Sequence, residues 1–301
     1  MPNLRQLKRR GRTIESTIKV TGAMEMIAAS KMRRAQQNVL AGRPYSESIA
    51  SLLGHLVTQL EPGEATHPLM EQREVKNLGM VLITADRGLC GGLNSNANRV
   101  AAQTIVSSGV PANLFTVGKK GRDFMVRSGS NVQAVFTDLG DYPKLDSILP
   151  LATLIAQEYE SGSIDEVQLV YNKFINVQVQ QPVAQKILPL EPDGEIEVNK
   201  QIGYIYEPGP AEVLNALAPR YLEVLIYQAI LESIASEQAS RMVAMRNATD
   251  NANNMLDDLT LQINKVRQES ITGELLDIIG LTHIHISEPP RQGKISYSVI
   301  C

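Results

Sequence analysis

The 301 residues carry a net charge of −3, no Trp, four Phe and two Cys, Cys90 and Cys301. Two cysteines exclude a disulfide framework, and four Phe exclude a core built on aromatic clusters. With no leader and no apolar run of about 18 residues, the chain reads as soluble, reaching a membrane only through partners, and its length suits about two domains.

The small net charge hides an asymmetry, because ten Lys or Arg fall between Met1 and Arg43 against only Glu15 and Glu25. In that segment Ile14, Ile18, Thr21, Glu25, Ala28, Met32, Ala35 and Val39 recur at steps of four and three, which predicts a helix with a heptad seam. Val20, Met24 and Ile27 make a second stripe, so the helix is expected to be contacted on two sides. Gly22 weakens it by about 1 kcal/mol relative to Ala. Pro44 predicts a break or kink, a further helical stretch covers Ser46 to Leu60, and Glu61-Pro62-Gly63 ends it. The clustered cations suit nucleic-acid phosphates or acidic protein partners. No aromatic interleaving, zinc spacing or helix-turn-helix pattern supports the first.

From Leu78 the period changes. Leu78–Ile83, Ala112–Val117 and Val132–Phe136 read as strands, and the segments after Asn94, Lys119–Arg127 and Leu145–Tyr159 as helices, an alternation that predicts a parallel sheet. Val167–Tyr171 and Val177–Ile187 read as an antiparallel pair joined near Lys173 to Asn176. After the first strand, Asp86-Arg87-Gly88-Leu89-Cys90-Gly91-Gly92-Leu93-Asn94 lies where an α/β fold would cradle a phosphate. Its glycine spacing matches neither the dinucleotide fingerprint nor the phosphate loop, and Asp86 with Arg87 reads equally as a structural pair holding the turn. Cys90 is a nucleophile in principle, but no His falls in this segment, which favours a small buried Cys.

A linker with Tyr204, Tyr206, Glu207 and Pro208 leads to Arg220–Thr272, fifty-three residues without Pro or Gly. As a helix it would be about 80 Å long. Leu231, Ala235, Gln238, Met242, Met245, Thr249, Ala252, Leu256, Leu259, Ile263, Val266 and Ser270 again step by four and three, a coiled-coil seam with polar and small members; a long helix of an ordinary bundle is the bland alternative. The two tyrosines are edge-strand residues or contact residues. The expected division is a helix over 1–60, an α/β foot over 61–210, a helix over 211–280 that pairs antiparallel with the first, and an atypical tail, 281–301. No metal cluster, carboxylate pair or triad is recognisable, so the chain reads as a mechanical or coupling part.

Four stretches carry a resemblance: Gly22 to Arg33 (GAMEMIAASKMR), Asp86 to Asn94 (DRGLCGGLN), Tyr204 to Pro208 (YIYEP) and Glu237 to Ala252 (EQASRMVAMRNATDNA). In these the chain resembles the gamma subunit of F-type ATP synthase. The resemblance implies a fold of a long antiparallel two-helix coiled coil from both termini plus a Rossmann-like α/β domain, its parallel sheet ending in an antiparallel edge. It also implies a non-catalytic rotor that couples proton flow through the membrane ring to ATP synthesis at the alpha and beta subunits. Its partners would be the alpha, beta and epsilon subunits and the c-ring, with no nucleic acid, cofactor or metal. Its place would be the cytoplasmic face of the bacterial inner membrane. Residues expected to meet the alpha/beta ring are Met24, Lys31, Arg33, Arg241, Met245, Arg267, Gln268, Ser270 and Thr272. Tyr204, Tyr206 and Glu207 would meet the c-ring or epsilon. Gly22 replaces a longer polar or basic residue of the family, and no Cys pair stands between Leu190 and Tyr204. Leu281 to Cys301, with His283, His285, Pro289 and Pro290, matches nothing in the family and reads as a foreign extension. Two rivals remain: an α/β nucleotide-binding enzyme with a coiled-coil arm, binding through Asp86 to Asn94, and a basic coiled-coil binder of nucleic acid.

Overall fold

The computed structural model describes residues 4–59, 67–191 and 206–286, with side chains for 4–57, 67–191 and 206–279. The described residues fall into two compact units, one from Met1–Thr21 with Ala248–Cys301, the other from Gly22–Asn247.

In the second unit a five-stranded sheet is built from β1 (Leu78–Ile83), β2 (Ala112–Val117), β3 (Val132–Phe136), β4 (Glu166–Phe174) and β5 (Gln180–Leu188) in the order β3-β2-β1-β4-β5. Four strands are parallel, and β5 pairs antiparallel with β4 at the edge. All six residues of central β1 are buried, as its nearly continuous apolar run requires of a strand covered on both faces. Against one face, Ala97 and Ala101 of α2 (Leu93–Ser108) and Met125 of α3 (Lys119–Arg127) pack on Leu78, Met80 and Leu82. On the other, Leu151 and Ile155 of α4 (Leu149–Glu160) join Val81, Ile83 and Phe115. Ile49 and Leu53 of α1 (Leu4–Gln59) and Leu222 and Ile226 of α5 (Pro210–Ile286) complete that core.

Strands β1, β2 and β3 and helix α3 stand where the sequence places them. The helix expected over Leu145–Tyr159 instead opens with a separate 3-10 turn, Leu145–Ser147, and α4 proper begins at Leu149. Pro150 in its first turn suits a helix start, where a missing N–H costs nothing. The edge strand starts at Gln180 rather than Val177, because the Asn176 Oδ1 accepts the backbone N–H groups of Gln178 and Val179 and holds those residues in the turn. The break expected at Pro44 is absent: α1 runs through it. A proline inside a helix costs about 3 kcal/mol, and burial of Ile49, Ala50 and Leu53 in the next turns offsets it.

Helix pairing is antiparallel in each unit. In the first, the Thr21 and Thr249 hydroxyls lie 2.7 Å apart and a Cβ at Gly11 would stand 3.5 Å from Leu259. In the second, Ala35 and Val39 cluster with Leu231 and Ala235. The α1 seam is buried at Thr21, Ala28, Met32, Ala35 and Val39, and the α5 seam at Leu231, Ala235, Gln238, Met245, Ala252 and Leu259. Ser270, read as its last member, is exposed. The α5 seam therefore closes before it, at the half-buried Val266. Beside the α1 seam Val20 and Ile27 are more than half exposed, and Met26 is 71 % exposed. A Cβ at Gly22 would meet nothing within 4 Å, so the room for a longer residue is there.

Candidate functional site

Strands β2 and β3 lie to one side of β1 and β4 to the other, so chain order reverses between the carboxyl ends of β1 and β4. In open α/β sheets a ligand crevice opens at such a point. Here the chain's own α5 is bonded across it. Ser236 donates its Oγ–H to the Asn172 carbonyl at the end of β4, 2.9 Å, and Ser240 donates to the Cys90 carbonyl in the turn after β1, 2.7 Å. Arg241 donates to the Gly88 carbonyl at 3.3 Å and to the Glu237 carboxylate at 2.6 Å.

The glycine-rich turn is thus a seat for a helix. Asp86 does not pair with Arg87; its carboxylate accepts the backbone N–H groups of Lys119 and Asp138, tying the ends of β1, β2 and β3 together. Cys90 is buried, burial pushes its thiol up, and Asn94 donates to its sulfur at 3.2 Å. No base is positioned to make it a nucleophile among the described residues.

A cavity of about 600 Å3 beside this turn brings together Met24 and Lys31 of α1 with Arg241 of α5. Lys31 pairs with Asp141 at 2.7 Å, Gln238 donates to the same carboxylate at 3.2 Å, and Arg34 lies over the Tyr142 ring at 4.9 Å. Two of the basic segment's cations therefore hold α1 to the loop after β3. Lys8, Arg9, Arg10, Arg12, Lys19 and Arg33 remain exposed. Arg241 has only 11 % of its side chain exposed, and Met245 is buried. Arg267, Gln268, Ser270 and Thr272 are exposed in the first unit. Glu207 is exposed, Tyr206 is half-buried and outside any strand, and Tyr204 lies outside the described residues.

Asp141, Glu237 and Glu232 escape the sequence reading. Glu237 and Arg241 stand four apart on a helix, a spacing that was available as a signal. Lys31 and Asp141 are 110 residues apart, and nothing local announces their pair. Burial raises the Glu237 carboxyl against the pull of Arg241. It also raises that of Glu232, whose Oε2 has no hydrogen-bond partner among the described residues. Burial, then the Glu232 charge, pushes the Tyr171 hydroxyl up to about 12.

A carboxyl raised on folding is protonated in both states below its unfolded value of 4.5, where it has no net effect. As pH rises from 4.5 toward the raised folded value the unfolded chain ionises first, so stability is lost across that window and the loss is complete above it. Glu232→Gln should therefore raise the unfolding midpoint at pH 8 and leave it unchanged at pH 4. Denaturant titrations at the two pH values check this, and equal shifts at both would refute it.

Residues 3–281 match the ATP synthase family. The "ATP synthase gamma chain" of Dehalococcoides mccartyi strain CBDB1 is 50% identical over 280 residues, 93% of this chain and 98% of the relative. That of Pelotomaculum thermopropionicum is 45% identical over the same shares. Among solved structures, a chain of the Tetrahymena thermophila mitochondrial ATP synthase central stalk and c-ring superposes with a TM-score of 0.60 at 27% identity, covering 76% of this chain and 99% of that one. A chain of the Euglena gracilis mitochondrial ATP synthase shares the fold, with a TM-score of 0.67 at 20% identity over 97% of this chain and 99% of that one.

Proposed function

This chain belongs to the ATP synthase gamma-chain family, and from that premise we propose how its residues do the work of a rotor. It is the rotary central-stalk subunit of ATP synthase, partner to the alpha, beta and epsilon subunits and the c-ring. It is part of a peripheral membrane complex that makes ATP, and is not itself catalytic. We place it on the cytoplasmic face of the bacterial inner membrane, driven by proton flow.

The observation that carries the residue assignments is apolar exposure on both long helices. Val20, Met26 and Ile27 on α1 and Leu275, Leu276 and Ile279 on α5 are each more than half exposed. Apolar exposure of that extent fits a surface that turns against another protein. Arg33 on α1, and Arg267, Gln268, Ser270 and Thr272 along α5, are the polar contacts assigned to the ring. Met24, Lys31 and Arg241 are assigned to the ring from the cavity beside the β1 turn, and Met245, one turn further along α5, with them. Tyr204, Tyr206 and Glu207 are assigned to the c-ring and epsilon.

The mechanism makes and breaks no bond in this chain. As the helices turn, they present different side chains to each catalytic subunit in succession. Each subunit is biased toward a different nucleotide affinity, because contacts that differ between states shift the balance among them. The enzyme reading places a nucleotide where Ser236, Ser240 and Arg241 already sit. Residues 281–301 are assigned no part.

Gln268→Cys tests the assignment. In the complex with alpha and beta subunits it should form a covalent cross-link to a beta subunit with a short bifunctional reagent and stop hydrolysis. Gln37→Cys, on α1 outside the assigned contacts, is the comparison. Equal cross-linking at both positions would remove the assignment.

A further inference from the structure

Between Gly22 and Arg34, α1 reaches the sheet through few groups. No residue of that segment joins the apolar clusters on either face of the sheet. Among the described residues, two of its side chains make a polar or ring contact beyond α1, and both go to the loop after β3. Lys31 pairs with Asp141 at 2.7 Å, and the Arg34 guanidinium lies 4.9 Å from the centre of the Tyr142 ring. The same loop holds α5, because Gln238 donates to the other Asp141 oxygen at 3.2 Å and the Tyr227 hydroxyl donates to the Pro143 carbonyl at 3.3 Å. Its root is fixed. The Asp86 carboxylate accepts the Asp138 N–H at 3.0 Å, and Lys119 pairs with the Asp138 carboxylate at 2.8 Å. Asp138 and Gly140 have positive φ, 61° and 78°, so the chain turns sharply before residues 141–143 meet the two helices.

We propose that Asp141, with Tyr142, is a positioning residue of the rotor: it fixes the angle at which α1 presents Met24, Met26 and Ile27 to the alpha and beta subunits. The proposal rests on the central-stalk reading and adds to it a residue outside the assigned contacts. Ala35 and Val39, buried against Leu231 and Ala235, anchor α1 just beyond the segment. Held there alone, the segment would swing about its anchored end. Asp141 and Tyr142 supply a second attachment, and two attachments remove the swing. Lys31 and Asp141 expose 32 % and 38 % of their side chains, so the pair is screened by salt and ionic strength loosens the hold.

The test follows a bead attached at Val106→Cys, an exposed position on α2, in single complexes of the full chain with alpha and beta subunits. In the pause between steps, the mean-square angle of the bead should rise about twofold in Asp141→Ala with Tyr142→Ala, since two attachments of the segment become one. Asp141→Glu alone, which keeps the charge, should retain most of the narrow distribution. Raising salt from about 0.05 M to about 0.5 M should widen the distribution of the otherwise unsubstituted chain and leave that of the double variant unchanged. A core merely loosened by the substitutions would not respond to salt in this way. Equal widths for the double variant and the unsubstituted chain overturn the proposal, as does an unsubstituted width indifferent to salt. Widening in Asp141→Glu as large as in the double variant also overturns it. The salt comparison needs no change at Asp141 and decides alone if the double variant does not assemble. Failure of the unsubstituted chain to turn with alpha and beta would count against the central-stalk reading instead.

Discussion

Asn253→Pro should uncouple the complex, leaving ATP synthesis near background while Asn253→Ala behaves as the unsubstituted chain. Asn253 is exposed on α5, next to the buried seam residue Ala252, so its own side chain contributes little packing. Proline there removes one backbone hydrogen bond and drives its ring against the Thr249 carbonyl, a cost of about 3 kcal/mol or more. The chain tolerates Pro44 because the following turns of α1 are anchored in the core of the sheet. Around Asn253, α5 belongs to the unit whose only other described element is the α1 segment up to Thr21. A seam of Thr21, Thr249 and Ala252 offers little burial to offset the loss. Torque carried by this helix depends on its stiffness, so coupling should fail before assembly does. Coupled synthesis in liposomes is the readout, and synthesis within twofold of normal would show that stiffness at this turn is unnecessary.

Arg241→Leu has the second large effect. Arg241 and Glu237 expose only 11 % and 17 % of their side chains, and removing the cation strands a buried carboxylate. Breaking such a pair from one side costs about 3–5 kcal/mol, far more than an exposed ion pair contributes. It also releases the Gly88 carbonyl that the guanidinium holds. Burial already raises the Glu237 carboxyl, and without Arg241 it must rise further. The variant should then lose stability progressively as pH increases from 4.5 through that raised value, while below 4.5 both folded and unfolded chains keep the proton. Adding Glu237→Gln should recover much of the loss at pH 8. Unfolding midpoints against pH decide the matter: a flat profile for Arg241→Leu would mean that Glu237 is better solvated than its burial implies.

What the sequence made legible follows from which forces are periodic. Heptad steps located both seams, because burial along a helix repeats every three or four residues. The buried run Leu78–Ile83 announced a central strand in the same way. Pro44 misled because the cost of a proline is local, whereas the packing of Ile49 and Leu53 that outweighs it comes from residues far along the chain. The end of the α5 seam misled for a related reason: Ser270 keeps the period, but nothing described covers it. The glycine-rich turn could be located but not interpreted, since Asp86 to Asn94 has the composition of a ligand seat. Only the Ser240 and Arg241 hydrogen bonds, to carbonyls 150 and 153 residues away, reveal that its occupant is a helix.

The most direct test of the central claim is ATP hydrolysis by alpha and beta subunits mixed with this chain, in full length and ending at Gly280. A stoichiometric complex with steady turnover, as fast or faster after truncation, is the predicted result, and it would mark 281–301 as dispensable to rotation. No complex from either form, with nucleotide binding by the isolated chain, would contradict it.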